Sequence, residues 1–233
     1  MISTMEQFEI FSLPLMSLLL TNVTFYFLTA LFIIIAIHRM SNMKLVGNWW
    51  TILNESLYHT ILQMTGENIG SHATHYFPLL FTIFYLILFA NLVGLVPYTS
   101  TATVEIVLTL SLAFTLLIGV LITGFLIHGS KLFAAFIPAG TPLPLVPFMI
   151  LLEILAYLTR TLSLGLRLAV NMTTGHILAK VMIGFIWANL LVSTILFALA
   201  MSLITLFIGL EILIAYLQAT IFIFITCITM NEF

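Results

Sequence analysis

The chain has 233 residues, 62% of them hydrophobic and only 6% charged, with a formal net charge of −2. A soluble domain carries about 25% charged residues, so this one could not cover its own surface in water, and so thin a charge offers nothing to nucleic acid. Together with a mean hydropathy of +1.26, this points to an integral, polytopic membrane protein, and a single cysteine, Cys227, excludes an internal disulfide framework.

The opening stretch, MISTMEQFEIFSLPL, holds two acids and no cation, so neither a secretory signal nor a transit peptide is expected. Residues 13–38 are an apolar run closed by His38 and Arg39, which predicts one spanning helix. In residues 45–70, Trp49, Trp50, Leu53, Leu57 and Ile61 recur at near-helical spacing against Asn54, Glu55 and Asn68. That pattern predicts an amphipathic helix lying in the membrane interface. Pro78 is expected to open a second span over 79–96, and after a short polar loop a third span covers 104–128, making a hairpin. Arg39, Lys44 and Lys131 fall on one side of these spans, and the loop at 97–103 on the other side has no cation. By the positive-inside rule the first side is cytoplasm or mitochondrial matrix, and the N-terminus faces outward.

The stretch IPAGTPLPLVP, residues 137–147, cannot be regular helix and reads as a structured loop. Beyond it, 147–187 and 188–230 are proline-free after Pro147 itself. Each is about 40 residues, or roughly 60 Å of helix, against a bilayer core of about 30 Å. Each piece either hides a tight turn at a weak breaker (Gly175, Gly184, Gly209) or stays whole as a steeply tilted, near-horizontal helix. Nothing between the candidate spans looks like a solvated loop, which favours two long tilted helices as an antiparallel pair. The fold expected is therefore an all-α membrane protein forming a single membrane domain over residues 1–233.

Charges inside these apolar stretches demand a reason, because each costs about 2.5–3.5 kcal/mol on insertion scales. Glu153, Arg160 and Arg167 are spaced seven apart and share one helical face, with Asn171 one turn further on. His176, nine residues past Arg167, faces elsewhere. On the second long helix Glu211 and Gln218 are again seven apart. One reading is internal glue, Glu153 with Arg160 and Glu211 with Arg167, but apolar replacements are usually no worse than such pairs. Intramembrane ionisable residues mark ion pathways by default. Arginine does not release its proton, so Arg160 and Arg167 can hold a fixed positive potential but cannot relay. Glutamate and histidine can. The pattern is a proton path interrupted in its middle by a permanent cation.

The segments SLGLRLAVNMTTGHIL and EILIAYLQATIFIFIT, with FANLVGLVPY and IPAGTPLPLVPF, resemble subunit a of the F-type ATP synthase in its mitochondrial form. The resemblance runs from EQFEI near the start to the C-terminus. It implies that Arg167 is the family's indispensable arginine, facing a rotating ring of c subunits and blocking a direct leak. It implies that Arg160, Asn171 and Gln218 are supporting polar groups, and that His176 and Glu211 line the inlet half-channel. Glu153 and Glu232 would then line the outlet half-channel. The His-then-Glu order implies a mitochondrial inner membrane, since many bacterial members have the reverse. Gly94 stands where some bacterial members place an acid, so no proton role attaches to it. The partners implied are the c-ring, the peripheral stalk and other membrane subunits, the lipid bilayer, and protons as the transported ion; no cofactor or metal is expected. The subunit alone is not expected to be an enzyme, since no P-loop or nucleophile motif occurs.

Two rivals make different demands. A secondary transporter predicts an internal repeat with broken helices in matching halves, and the proline cluster occurs only once. A structural respiratory-complex subunit predicts that the charges serve assembly alone. Glu105 and Lys180 read as boundary or lipid-facing groups, and His72 with His75 as loop residues without a third metal ligand.

Overall fold

The computed structural model describes residues 22–40, 49–70, 73–95, 102–129, 143–189 and 194–231. Among them are six α-helices and no strand: α1 (Asn22–Met40), α2 (Trp49–Ile69), α3 (Ala73–Gly94), α4 (Ile106–His128), α5 (Val146–Asn189) and α6 (Thr194–Asn231). Four helical stretches are long and apolar enough to cross a bilayer, His75–Gly94, Ile106–Ile127, Val146–Trp187 and Phe197–Asn231. The protein is an all-α membrane protein. The first part of the expected N-terminal span, 13–21, lies outside the described residues, as do Lys44, His72 and Lys131.

The 44 residues of α5 and the 38 of α6 each form one unbroken helix. Gly175, Gly184 and Gly209 therefore do not act as breakers. A glycine costs a helix only about 1 kcal/mol, which a long apolar helix absorbs. Real terminators are found elsewhere. Gly70 and Gly129, directly after the α2 and α4 helical runs, take positive φ of 67° and 57°, the left-handed conformation that ends a helix and that glycine adopts at no steric cost. Pro147 sits in the first turn of α5, where its missing N–H has no partner to lose.

Two expectations need correcting. Pro78 does not open the second span: α3 begins at Ala73 and carries Pro78 inside it. So near the helix start the proline forfeits one backbone bond without ending the helix. On α2, Asn54 and Asn68 do not oppose Ile61. They are half-buried on the same side as the buried Ile61 and Thr65, while Trp49 (81% exposed), Trp50 and Leu53 point outward. The outward polar stripe is Glu55, His59, Gln63 and Glu67, successive i, i+4 positions, with Gln63 Nε2 donating to Glu67 at 2.8 Å.

The chain divides into two compact units. Of the described residues, the first comprises 22–40, 83–95, 102–105, 168–189 and 194–220. Its core holds Phe84, Ile87 and Leu88 of α3, Leu168 and Ala169 of α5, and Ala215 and Ala219 of α6. Phe84 meets Tyr216 edge-on at 6.2 Å. Alanines at these positions let helix backbones approach closely, the usual means of association in lipid, where apolar burial gives little. The second unit comprises, of the described residues, 49–70, 73–82, 106–129, 143–167 and 221–231. There Tyr58 of α2 packs edge-on to Phe77 and Phe81 at 5.0 and 5.7 Å, and Tyr157 of α5 packs on Leu117 and Leu121 of α4.

Buried hydroxyls make little demand on this packing. Thr65, Thr161, Thr226 and Thr229 each donate to the carbonyl four residues back in their own helix, at 2.8–3.1 Å. Among the described glycines of the second unit, Gly165 is the one packed against another helix: a Cβ there would lie 2.8 Å from Leu110 Cδ2 and 3.1 Å from Leu110 Cα. Gly165→Ala is expected to push α4 off α5 and cost about 1–3 kcal/mol, as overpacking does. A lowered melting temperature of the solubilised complex, partly restored by adding Leu110→Ala, is the expected result.

Candidate functional site

The first unit brings together the polar groups of α5 and α6. On α5, Met172, Gly175, His176 and Ala179 follow three-four spacing and so share a face. On α6, Phe207, Glu211, Ile214 and Gln218 do the same. Between these faces lies a cavity of about 190 Å³, bordered by Asn171, Glu211 and Gln218 together with Asn91 of α3. A second cavity, about 60 Å³, is bordered by His176, Lys180 and Glu211. Glu211 thus belongs to both.

Asn91 is the residue that sequence reasoning missed. It is 1% exposed, and its Oδ1 is buried without a hydrogen-bond partner. A buried amide oxygen left unsatisfied costs about 1–3 kcal/mol, so water is its natural partner. A water needs only about 10–15 Å³ of such space together with polar neighbours, and the larger cavity supplies both. The signal was available: a single amide inside the apolar run of α3, an intramembrane polar residue that points to function by the same logic as a charge.

Gly175 has a specific part in this geometry. A Cβ built there would run into the Glu211 carboxylate, its nearest neighbour being Oε1. The carboxylate therefore lies against a stretch of α5 that has no side chain. Lys180, expected as a boundary or lipid-facing cation, is half-buried and borders the smaller cavity beside His176.

In the second unit lie Glu153, Arg160 and Arg167, all on α5. Glu153 and Arg160 are half-buried and Arg167 is exposed. The Arg160 guanidinium carbon sits 5.4 Å from the centre of the Tyr157 ring, within range of a cation–π attraction. Arg160 also borders a small cavity of about 20 Å³ with Thr161, Thr226 and Thr229. Arg167 Nη2 donates to Ser163 Oγ at 3.3 Å, one turn back. Glu232 lies outside the described residues.

Comparison with known proteins gives a consistent picture. The ATP synthase A chain family matches residues 18–231. The chain is similar to ATP synthase subunit a of Chondrus crispus, 38% identical over 99% of this chain and 95% of that one. It is similar to the subunit a of Zancudomyces culisetae at 40% over 93% and 89%, and to that of Brassica napus at 39% over 99% and 95%.

Gly175→Ala is expected to leave the complex assembled, because the atom displaced is the far end of a flexible side chain, and, on a reading of Glu211 as part of a proton route, to impair conduction. A penalty of about 1–3 kcal/mol on the carboxylate's position means roughly a 5- to 150-fold loss of rate. Proton pumping in membranes with normal subunit levels measures it.

Proposed function

This chain belongs to the ATP synthase A chain family, and on that premise we propose that it is the static half of a rotary proton pathway. As a proton-translocating subunit of the membrane sector it is non-catalytic and works with the other ATP synthase subunits. The finer reading concerns the route. Protons enter from the intermembrane space past His176 and Glu211 and neutralise a carboxylate on the ring of c subunits, which can then move into lipid. After nearly a full turn the proton leaves towards the matrix past Glu153 and Glu232. Arg167 separates the two half-channels, so that rotation is the only way across.

The observation that carries this reading is the pair of cavities meeting at Glu211. One is bordered by amides with a buried, unsatisfied oxygen, and the other by His176. A carboxylate and an imidazole beside space for water are the parts of a relay. Arg160, Asn171 and Gln218 support it as fixed polar groups. The lengths of α5 and α6 fit as well. Helices of 44 and 38 residues run to roughly 66 and 57 Å, so in a core of about 30 Å they lie steeply tilted and present a long flank to the ring. The N-terminus faces the intermembrane space of the mitochondrial inner membrane, and the peripheral stalk and neighbouring membrane subunits hold the chain still.

Arg167→Ala tests the barrier. In assembled membranes ATP synthesis is expected to fall to background and passive proton permeability to rise, with subunit levels unchanged. Normal synthesis, or a defect explained wholly by missing complex, would make the arginine structural glue and overturn the reading.

A further inference from the structure

The two cavities in the first unit share three bordering side chains and no others: Met172, Phe207 and Glu211. Two of the three are apolar. Phe207 and Glu211 are four residues apart on α6 and so lie on one face, while Met172 of α5 borders both cavities from the opposite helix. All three are half-buried.

We infer that Met172 and Phe207 form an apolar septum between two water-bearing cavities, which a proton crosses only on the Glu211 carboxylate. This rests on the inlet reading of His176 and Glu211 and names what makes Glu211 indispensable to it. The larger cavity has room for several waters and the smaller for a few, at about 10–15 Å³ each, and each is lined by some polar groups that could hold them. Those polar groups are few and sit in otherwise apolar linings: His176 and Lys180 in the smaller cavity, and Asn91, Asn171 and Gln218 in the larger. Where Met172 and Phe207 stand, water finds no partner, and an apolar constriction of this kind blocks passage by dewetting.

Glu211 is the polar group common to both sides, and Gly175 leaves its carboxylate room against α5. A proton arriving from the His176 side is taken up by the carboxylate and released to water in the larger cavity. The carboxylate is left ionised as before, so nothing is consumed. A methionine is a suitable wall because it is flexible and fills irregular space, closing behind the moving carboxylate.

The test compares Glu211→Gln, Phe207→Ala/Glu211→Gln and Met172→Ala/Glu211→Gln in assembled complexes in membrane vesicles. The readout is ATP-driven proton pumping at matched subunit levels. Glu211→Gln alone is expected to lose about a hundredfold or more, as removal of an acid–base group does. Opening the septum should let water join the cavities and restore pumping about tenfold, a difference of about 1.4 kcal/mol in barrier. Phe207→Leu/Glu211→Gln, which keeps the wall apolar and bulky, should restore nothing. If neither alanine variant restores pumping at normal assembly, the septum is wrong while the inlet reading stands. If Glu211→Gln alone pumps normally, the inlet reading fails and the septum with it.

Discussion

A carboxylate that must carry charge inside a membrane can be held only where the neighbouring helix leaves it space. Glu211 has that space because Gly175 presents bare backbone to it. The arrangement around it depends on this contact. The faces of α5 and α6 that meet there place Asn171 and Gln218 on one side of the carboxylate and His176 on the other. Any side chain at 175 would fill the position the carboxylate occupies, so the glycine makes the room in which a titratable group can stand between the two cavities.

Lipid as solvent explains why the rest of the molecule can be so plain. Burying apolar surface between helices gains little when the alternative is hydrocarbon, so tight contact comes from small residues and aromatic edges. Ala169, Ala215, Ala219 and Gly165 supply the first, and the Phe84–Tyr216 and Tyr58–Phe77 pairs the second. Most of the buried threonines described bond back to their own helices, so they add no cross-helix demand. Against that background the buried, unsatisfied Asn91 oxygen stands out as a place where water would supply the missing partner.

Helix type and extent were legible where a long apolar run met a strong terminator, as in α4 or at the Pro147 end of α5. Pro78 was misleading because a proline near a helix start resembles one that begins it; the difference lies in residues 73–77, which are not markedly apolar. On α2, Asn54, Ile61 and Asn68 are seven apart and share a face, for the same reason that Glu153, Arg160 and Arg167 do on α5. Gly175 and Phe207 lay beyond any local pattern, because their parts are defined by what another helix sets against them. Asn171, Glu211 and Gln218 stand out in the sequence because polar groups are rare in this chain, and rarity in lipid is itself a signal.

The division of labour proposed for Arg167 and Glu211 follows from acid–base chemistry alone. A guanidinium keeps its charge at any physiological pH, so it can repel a proton indefinitely but never deliver one. A carboxylate can deliver, but its charge is conditional, and so it cannot serve as a barrier. A pathway that must be open to protons at two places and closed between them therefore needs both residue types, each at the place where the other would fail. In the proposed route the glutamate is flanked by space for water and the arginine is not assigned any proton at all. Lysine in place of Arg167 would be a weaker choice, since its ammonium loses its proton readily when buried and would turn the barrier into a further relay.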